Sequence, residues 1–302
     1  MTPLQLFCQQ LTNGLTLGAI YALVALGYTM VYGVVQLINF AHGEVFMVGA
    51  YAALTIVFLL GAFGLPWWAI LLLCGLGAMA VCALLGLGVE RVAYRPIRQA
   101  PRLNALITAI GLSLFLQNAL MLLYGATDRR FPNLIPLLRW DVGGVTITLM
   151  QLIVWAAGAL MMAGLQLLVR STKLGVAMRA TAQDLKACAL LGIPVDRIIA
   201  ITFVIGSAFA AVGGTLFGLN YGTINFHDGY LMGMKAFAAA VLGGIGNVPG
   251  AMVGGLVFGV LEGLGAGYLS AQWKNVFAFV TLVALLLFKP TGLFGERVAE
   301  RA

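Results

Sequence analysis

Ile38-Asn39-Phe40-Ala41-His42-Gly43, read on through Ala50, Tyr51, Ala52 and Ala53, has a second copy in the same chain. The copy is Ile224-Asn225-Phe226-His227-Asp228-Gly229, continued through Ala236, Phe237, Ala238 and Ala239. Without a gap the two share Ile, Asn, Phe, Gly and three Ala, and Tyr51 stands opposite Phe237. The register extends backwards, where Ala22, Gly27 and Thr29 fall opposite Ala208, Gly213 and Thr215. Agreement in one register over separate stretches marks an internal repeat. The question is what an Asn-Phe-x-x-Gly element does twice between apolar segments.

Composition limits the answer. A chain of 302 residues that is 62% hydrophobic and 9% charged, with mean hydropathy +1.01, is not a soluble globular protein, where those shares are about one half and about one quarter. It reads as an all-α polytopic membrane protein, one membrane domain over residues 1–302, because no polar stretch is long enough to fold outside a bilayer. The net charge of +7 comes from basic residues in short loops, a topological signal rather than a nucleic-acid surface. Cys8, Cys74, Cys82 and Cys188 have neither metal nor disulfide spacing and read as small core residues. The first ten residues hold no Lys or Arg, so no signal-peptide n-region precedes the first span.

Segments long enough to cross about 30 Å of hydrocarbon fall at Leu11 to Gln36, Val45 to Phe63, Trp67 to Val89, Leu103 to Tyr124, Val145 to Val169, Ile198 to Leu219, Tyr230 to Ile245, Ala251 to Leu269 and Trp273 to Phe288. That is nine spans, the seventh short. Arg91, Arg95, Arg98 and Arg102 follow the third, Arg170, Lys173, Arg179, Lys186 and Arg197 the fifth, and Lys289, Arg297 and Arg301 the ninth. Nine spans put these twelve of the 17 basic residues on one side, which is the cytoplasm by the positive-inside rule. The N-terminus is then outside and the C-terminus inside. The repeat copies follow spans one and six, and an odd offset inverts one copy against the other. The halves, about 11–169 and 198–288, thus form an inverted repeat, a plan that transporters use to alternate access to a central site.

Asn39, His42 and Glu44 in one copy and Asn225, His227 and Asp228 in the other are the solute-pathway candidates. Intramembrane polar groups are functional by default, although each Asn also suits a helix N-cap with its Gly easing the turn. Both readings stand at this stage, with His42, Glu44, His227 and Asp228 expected near the interface. Lys235 and Glu262 are read as the charges well inside apolar runs: either they face one another or a wet cavity, or the span limits there are displaced. No relay of titratable residues runs through the spans, which argues against proton coupling. No Ser/His/Asp set, His-Glu-x-x-His or metal-binding pattern points to an enzyme. The stretch Gly243 to Gly250 lacks the Gly-Lys-Ser/Thr ending of a phosphate loop, so any driving nucleotide binds to another chain.

Gly255, Gly259, Gly263 and Gly267 recur every four residues and favour close packing of another helix, within the chain or on a second subunit. Between spans five and six, about 174–191, Leu174, Met178, Ala182, Leu185 and Ala189 share one helical face, opposite Arg179, Gln183 and Lys186. Gly192 and Pro194 stop that helix. Such a stripe lies on lipid or enters a groove on a soluble partner.

Gly18-Ala19-Ile20-Tyr21-Ala22-Leu23, Ile38 to Glu44, Ala187 to Pro194 and Val241-Leu242-Gly243-Gly244-Ile245-Gly246 resemble the LivH-type permeases of branched-chain amino acid ABC transporters, over essentially the whole chain. The resemblance implies a bacterial inner-membrane subunit importing leucine, isoleucine and valine. Its implied partners are a second, LivM-like permease, two cytoplasmic ATPase subunits carrying ATP and Mg, and a periplasmic solute-binding protein; this chain itself binds no cofactor. It further implies that the helix of 174–191 is the ATPase-docking element, with Leu174, Met178, Ala182, Leu185, Ala189 and Gly192 as docking residues. Gln183-Asp184 stands where other ABC importers carry a Glu before an Ala pair. Permeases for urea, short amides and other amino acids are built on similar sequences and remain the alternative. An ATP-independent carrier or channel is the competing class.

Overall fold

The computed structural model describes residues 2–98, 100–289 and 291–295. Arg297 and Arg301 lie outside them, as does the side chain of Arg102. Helices stand at all nine expected spans: α1 (Pro3–Val35), α2 (His42–Gly61), α3 (Trp67–Gly88), α4 (Arg102–Tyr124), α5 (Leu149–Ser171), α8 (Val195–Tyr221), α9 (Asp228–Gly243), α10 (Val248–Tyr268) and α11 (Lys274–Phe288). Two short helices, α6 (Lys173–Gln183) and α7 (Leu185–Leu190), intervene between α5 and α8. By length and composition seven helices, α1 to α5, α8 and α10, are able to cross a membrane. α9 has 16 residues and α11 has 15, short of the roughly 20 that a bilayer core requires.

The helix starts are chemically specified. α1 begins in a capping box, with Thr2 Oγ1 accepting from the Gln5 amide and Gln5 Oε1 accepting from the Thr2 amide. Thr148 and Gln151 repeat that device at α5. The fifth span therefore starts at Leu149 and not at Val145, because residues 145–148 form a strand. That strand, β3 (Val145–Thr148), pairs antiparallel with β2 (Arg139–Val142) across Gly143-Gly144. Both glycines have positive φ, 64° and 84°, as a two-residue hairpin turn requires. At the same end β1 (Arg129–Arg130) pairs with β4 (Thr223–Ile224), tying the loop after α4 to the loop after α8. These strands are a departure from a purely helical expectation. They satisfy backbone groups in loops that have no helix to do so.

α1 and α8 form the centre, with 89% and 78% of their most apolar windows buried, whereas α4 and α5, at 17% and 22%, lie at the edge. α1 packs against α8, and α2 against α9. Four further contacts have matched partners: α1·α9 with α2·α8, α1·α10 with α3·α8, α9·α10 with α2·α3, and α9·α11 with α2·α4. Exchanging α1, α2, α3 and α4 for α8, α9, α10 and α11 interconverts the members of each pair, whereas the contacts α1·α2 and α10·α11 have no counterpart of similar extent.

The α1·α10 contact has a simple steric basis. A Cβ on Gly255 would lie 2.5 Å from Ala22 Cα, one on Gly263 2.8 Å from Gly14 Cα, and one on Gly259 would strike Gly18 N and Cα. In the other direction Gly14 and Gly18 would come 2.8 Å from Val260 Cα and Leu256 Cα. Gly267 ends the row against the Gln10 side chain. Spaced by four, the α10 glycines meet the small residues Gly14, Gly18 and Ala22 of α1, also spaced by four, so the backbones interlock.

Candidate functional site

Both copies of the repeated peptide fold alike. α1 ends with Gln36 in the left-handed region at φ 56°, and α8 ends with Gly222 there at φ 70°. Asn39 Oδ1 accepts from the Ala41 amide at 3.1 Å, and Asn225 Oδ1 accepts from the His227 amide at 3.0 Å. The main-chain oxygens of Asn39 and Asn225 accept from His42 and Asp228 N–H groups, each at 3.0 Å. Each asparagine thus closes an Asx turn that starts the next helix. Asn39 Oδ1 also accepts from Tyr94 Oη at 3.0 Å, which fills both of its acceptor sites. Asn225 Nδ2 donates to Asp128 Oδ1 at 2.7 Å, and the Asn225 amide to Asp228 Oδ2 at 2.8 Å.

The helices that these turns start, α2 and α9, cross at their first residues. Gly43 and Gly229 hold the same position in the two copies, and each would place a Cβ against the other's carbonyl oxygen, 2.9 Å away for Gly229. Gly233 completes the contact, its Cβ position lying 2.8 Å from Gly43 Cα. The contact is reciprocal, as across a two-fold axis.

Around this crossing the expected interfacial residues separate. His227 is exposed, with Nδ1 2.9 Å from Gln117 Nε2, and Asp228 is half-buried. His42 and Glu44 are instead fully buried within the protein, each 1% exposed. The reason is the break before α2: the α2 start is inserted between α1, α4 and α9 and not left at the bundle surface. His42 packs edge-on against Tyr28, ring centroids 4.8 Å apart, and Nε2 has no hydrogen-bond partner. Glu44 Oε1 accepts from Ser113 Oγ at 3.3 Å, halfway along α4, and Oε2 has no partner. Beside Ser113 a cavity of about 310 Å³ opens between α4, α9 and Phe40.

Lys235 and Glu262 do face one another. Lys235 Nζ lies 2.6 Å from Glu262 Oε1, and Tyr21 Oη donates to Glu262 Oε2 at 2.8 Å. Lys235 Nζ also sits 5.8 Å from the centre of the Tyr21 ring. The cluster ties α1, α9 and α10 together.

A third buried carboxylate was not foreseen. α3 runs on through a wider turn, Val89–Tyr94, in which the Arg95 amide donates to the Glu90 carbonyl at 2.7 Å. Glu90 is 0% exposed. Its carboxylate accepts from Arg95 and Arg98, with ion-pair distances of 2.9 Å and 2.6 Å, and Arg98 also bridges to Asp196 at the start of α8, 2.6 Å away. The signal was present as one acid directly followed by Arg91, Arg95 and Arg98. The spacing of five between Glu90 and Arg95 matches the widened turn and escapes a search at α-helical spacing.

The segment 174–191 is two helices and not one. Asp184 takes an extended backbone and its Oδ1 accepts from the Lys186 and Ala187 amides, capping α7 and ending α6. Of the six docking candidates, Met178 is buried and Leu174 and Ala182 half-buried, on the inward side of α6. Leu185, Ala189 and Gly192 are exposed on and after α7, next to Leu190 and Leu191. Gly192 stops the helix at φ 80°, and the Ile193 amide returns to the Cys188 carbonyl at 3.0 Å. Among the described residues no group of three His, Cys, Asp or Glu side chains is placed to hold a metal ion.

A bundle of long apolar helices with buried charges at its crossings defines a polytopic helical membrane protein. The family model described as branched-chain amino acid transport system / permease component matches residues 10–286, and the chain belongs to that family. The chain is 49% identical over 301 residues to the high-affinity branched-chain amino acid transport system permease protein LivH of Salmonella typhimurium, covering 98% of this chain and 97% of the relative. Identity to LivH of Escherichia coli K12 is 48% with the same coverage. Identity to the permease protein BraD of Pseudomonas aeruginosa is 49% over 300 residues, 98% of both chains.

Proposed function

We propose that this chain is a transmembrane permease subunit of an ATP-driven ABC importer that moves leucine, isoleucine and valine from a periplasmic binding protein into the bacterial cytoplasm. The observation that carries the reading is identity of 48% to 49% across nearly the full length of permease proteins named for that transport. A LivM-like second permease and two ATPase subunits, which bind ATP and Mg, complete the assembly. The chain has no bond chemistry to perform; its task is to offer the solute different affinities in two conformations.

Nine spans, with the N-terminus outside and the C-terminus in the cytoplasm, fit the basic loops after α3, α5 and α11. Two observations support an inverted repeat: the matched Asx turns at Asn39 and Asn225, and the reciprocal crossing of Gly43 and Gly229. The glycine crossing is the natural pivot, because with no side chains between them two backbones rock without repacking. Alternating access then consists of the two halves tilting about this point, driven by the ATPases through the exposed residues Leu185 and Ala189 of α7 and Gly192 just after it.

Radiolabelled leucine uptake into proteoliposomes tests the proposal, with this chain assembled with its partner subunits and binding protein. Uptake that requires ATP and persists when ion gradients are collapsed is the expected result. Uptake that needs an ion gradient and ignores ATP would move the chain to the carrier class.

A further inference from the structure

The cavity beside Ser113 has a built division of labour. Leu106, Ile110 and Leu114, four residues apart, carry one stripe of α4 into it, opposite Phe40 and Met234. Ser113 and Gln117, also four apart, carry the adjacent polar stripe. Its volume of about 310 Å³ holds roughly ten water-sized groups at about 30 Å³ each, which suits one small amino acid.

Behind the polar wall lies an unanswered carboxyl group. Glu44 is 1% exposed, takes one hydrogen bond from Ser113 and leaves Oε2 bare. Oε2 sits where Gly229 lacks a side chain, a Cβ there falling 2.5 Å from it. Among the described residues no cation pairs with Glu44, and Lys235, the buried lysine, is held by Glu262. A carboxylate so enclosed is costly unless a cation meets it. The start of α2 favours its negative charge but supplies no proton donor to Oε2. An ammonium group has three N–H donors, and one seated against Ser113 Oγ stands beside Glu44.

We propose that this cavity is a solute site in which Glu44 and Ser113 receive the ammonium group of an aliphatic α-amino acid while its side chain lies on Leu106, Ile110 and Leu114. The proposal rests on the transport reading above and narrows it: urea and short amides carry no positive charge and leave Glu44 unanswered.

The test uses the assembled transporter in proteoliposomes and a diazirine analogue of leucine, compared with the same diazirine acid lacking the amino group. Binding protein is omitted and both are supplied at high concentration, so each reaches the permease unaided. On irradiation the amino acid is expected to label the α4 peptide between Arg102 and Arg129, and the des-amino acid about tenfold less, the loss of a charged hydrogen-bonded contact. Glu44→Gln should abolish that preference while retaining the shape of the site. Ile110→Trp, which fills the cavity and leaves Glu44 in place, should remove the labelling itself.

Leucine uptake is measured in parallel with binding protein present. Normal uptake with labelling only elsewhere, or with equal labelling by both analogues, overturns the site and leaves the transport function standing. A transporter that takes up no leucine but takes up urea overturns the function and the site together.

Discussion

Lys235 and Glu262 are 0% and 2% exposed and lie 2.6 Å apart, so each is tolerable only because the other is present. Removing one partner of such a pair costs about 3–5 kcal/mol, whereas replacing both with apolar groups of similar volume is often neutral. Glu262→Gln should therefore lower the unfolding temperature of the detergent-solubilised protein markedly, since it leaves the Lys235 ammonium buried against a neutral amide. The double variant Lys235→Met, Glu262→Leu should recover most of that loss. A single variant as stable as the parent would mean that the pair is not buried in the folded protein. Tyr21, which donates to Glu262 and accepts from Lys235, should contribute less, because its loss leaves the ion pair intact.

At the scale of elements, the Glu90 cluster joins the end of α3 to the start of α8. Arg98 is shared between Glu90, 0% exposed, and Asp196, whose side chain is 65% exposed. Arg98→Ala should destabilise the protein clearly more than Asp196→Ala in thermal unfolding, because an exposed pair contributes about 0–1 kcal/mol and a buried carboxylate losing a partner costs several times that. Equal effects would contradict this division. α7 makes a different prediction. Leu185 is exposed at the start of a helix capped by Asp184, so Leu185→Asp should insert and fold normally yet lose ATP-driven uptake if α7 docks the ATPase. Intact coupling in that variant would remove α7 from the docking role. These elements also mark the limit of what the sequence made legible. Among the described residues hydropathy located the nine longest helices, and the spacing of glycines in α10 anticipated close packing, because both signals are periodic and local. The break at Asp184 was missed because an apolar stripe of period near four ran across it, although Asp184 itself carried the cap signal. The strands were missed because they are only two to four residues long. The burial of His42 and Glu44 depends on where a broken helix inserts among its neighbours, which no single stretch encodes. Whether Lys235 met Glu262 was open for the same reason, since they are 27 residues apart on different helices.

For the whole molecule, two copies of one Asx turn start two helices that cross glycine on glycine, and most of the surrounding helix contacts come in matched pairs. In the proposed reading the two halves tilt about this crossing, as alternating access requires. In the same reading the conformational change is driven from outside this chain, whose sequence carries no phosphate loop. The claim that it serves an ATP-driven importer of branched-chain amino acids is tested most directly by ATPase activity in proteoliposomes. These contain this chain, its copurifying partner subunits and the binding protein, with leucine, isoleucine, valine, urea or no solute. Stimulation by leucine, isoleucine and valine, with urea no different from the solute-free rate, is the predicted result. Stimulation by urea alone, or a purified assembly with no ATPase in it, would contradict the account.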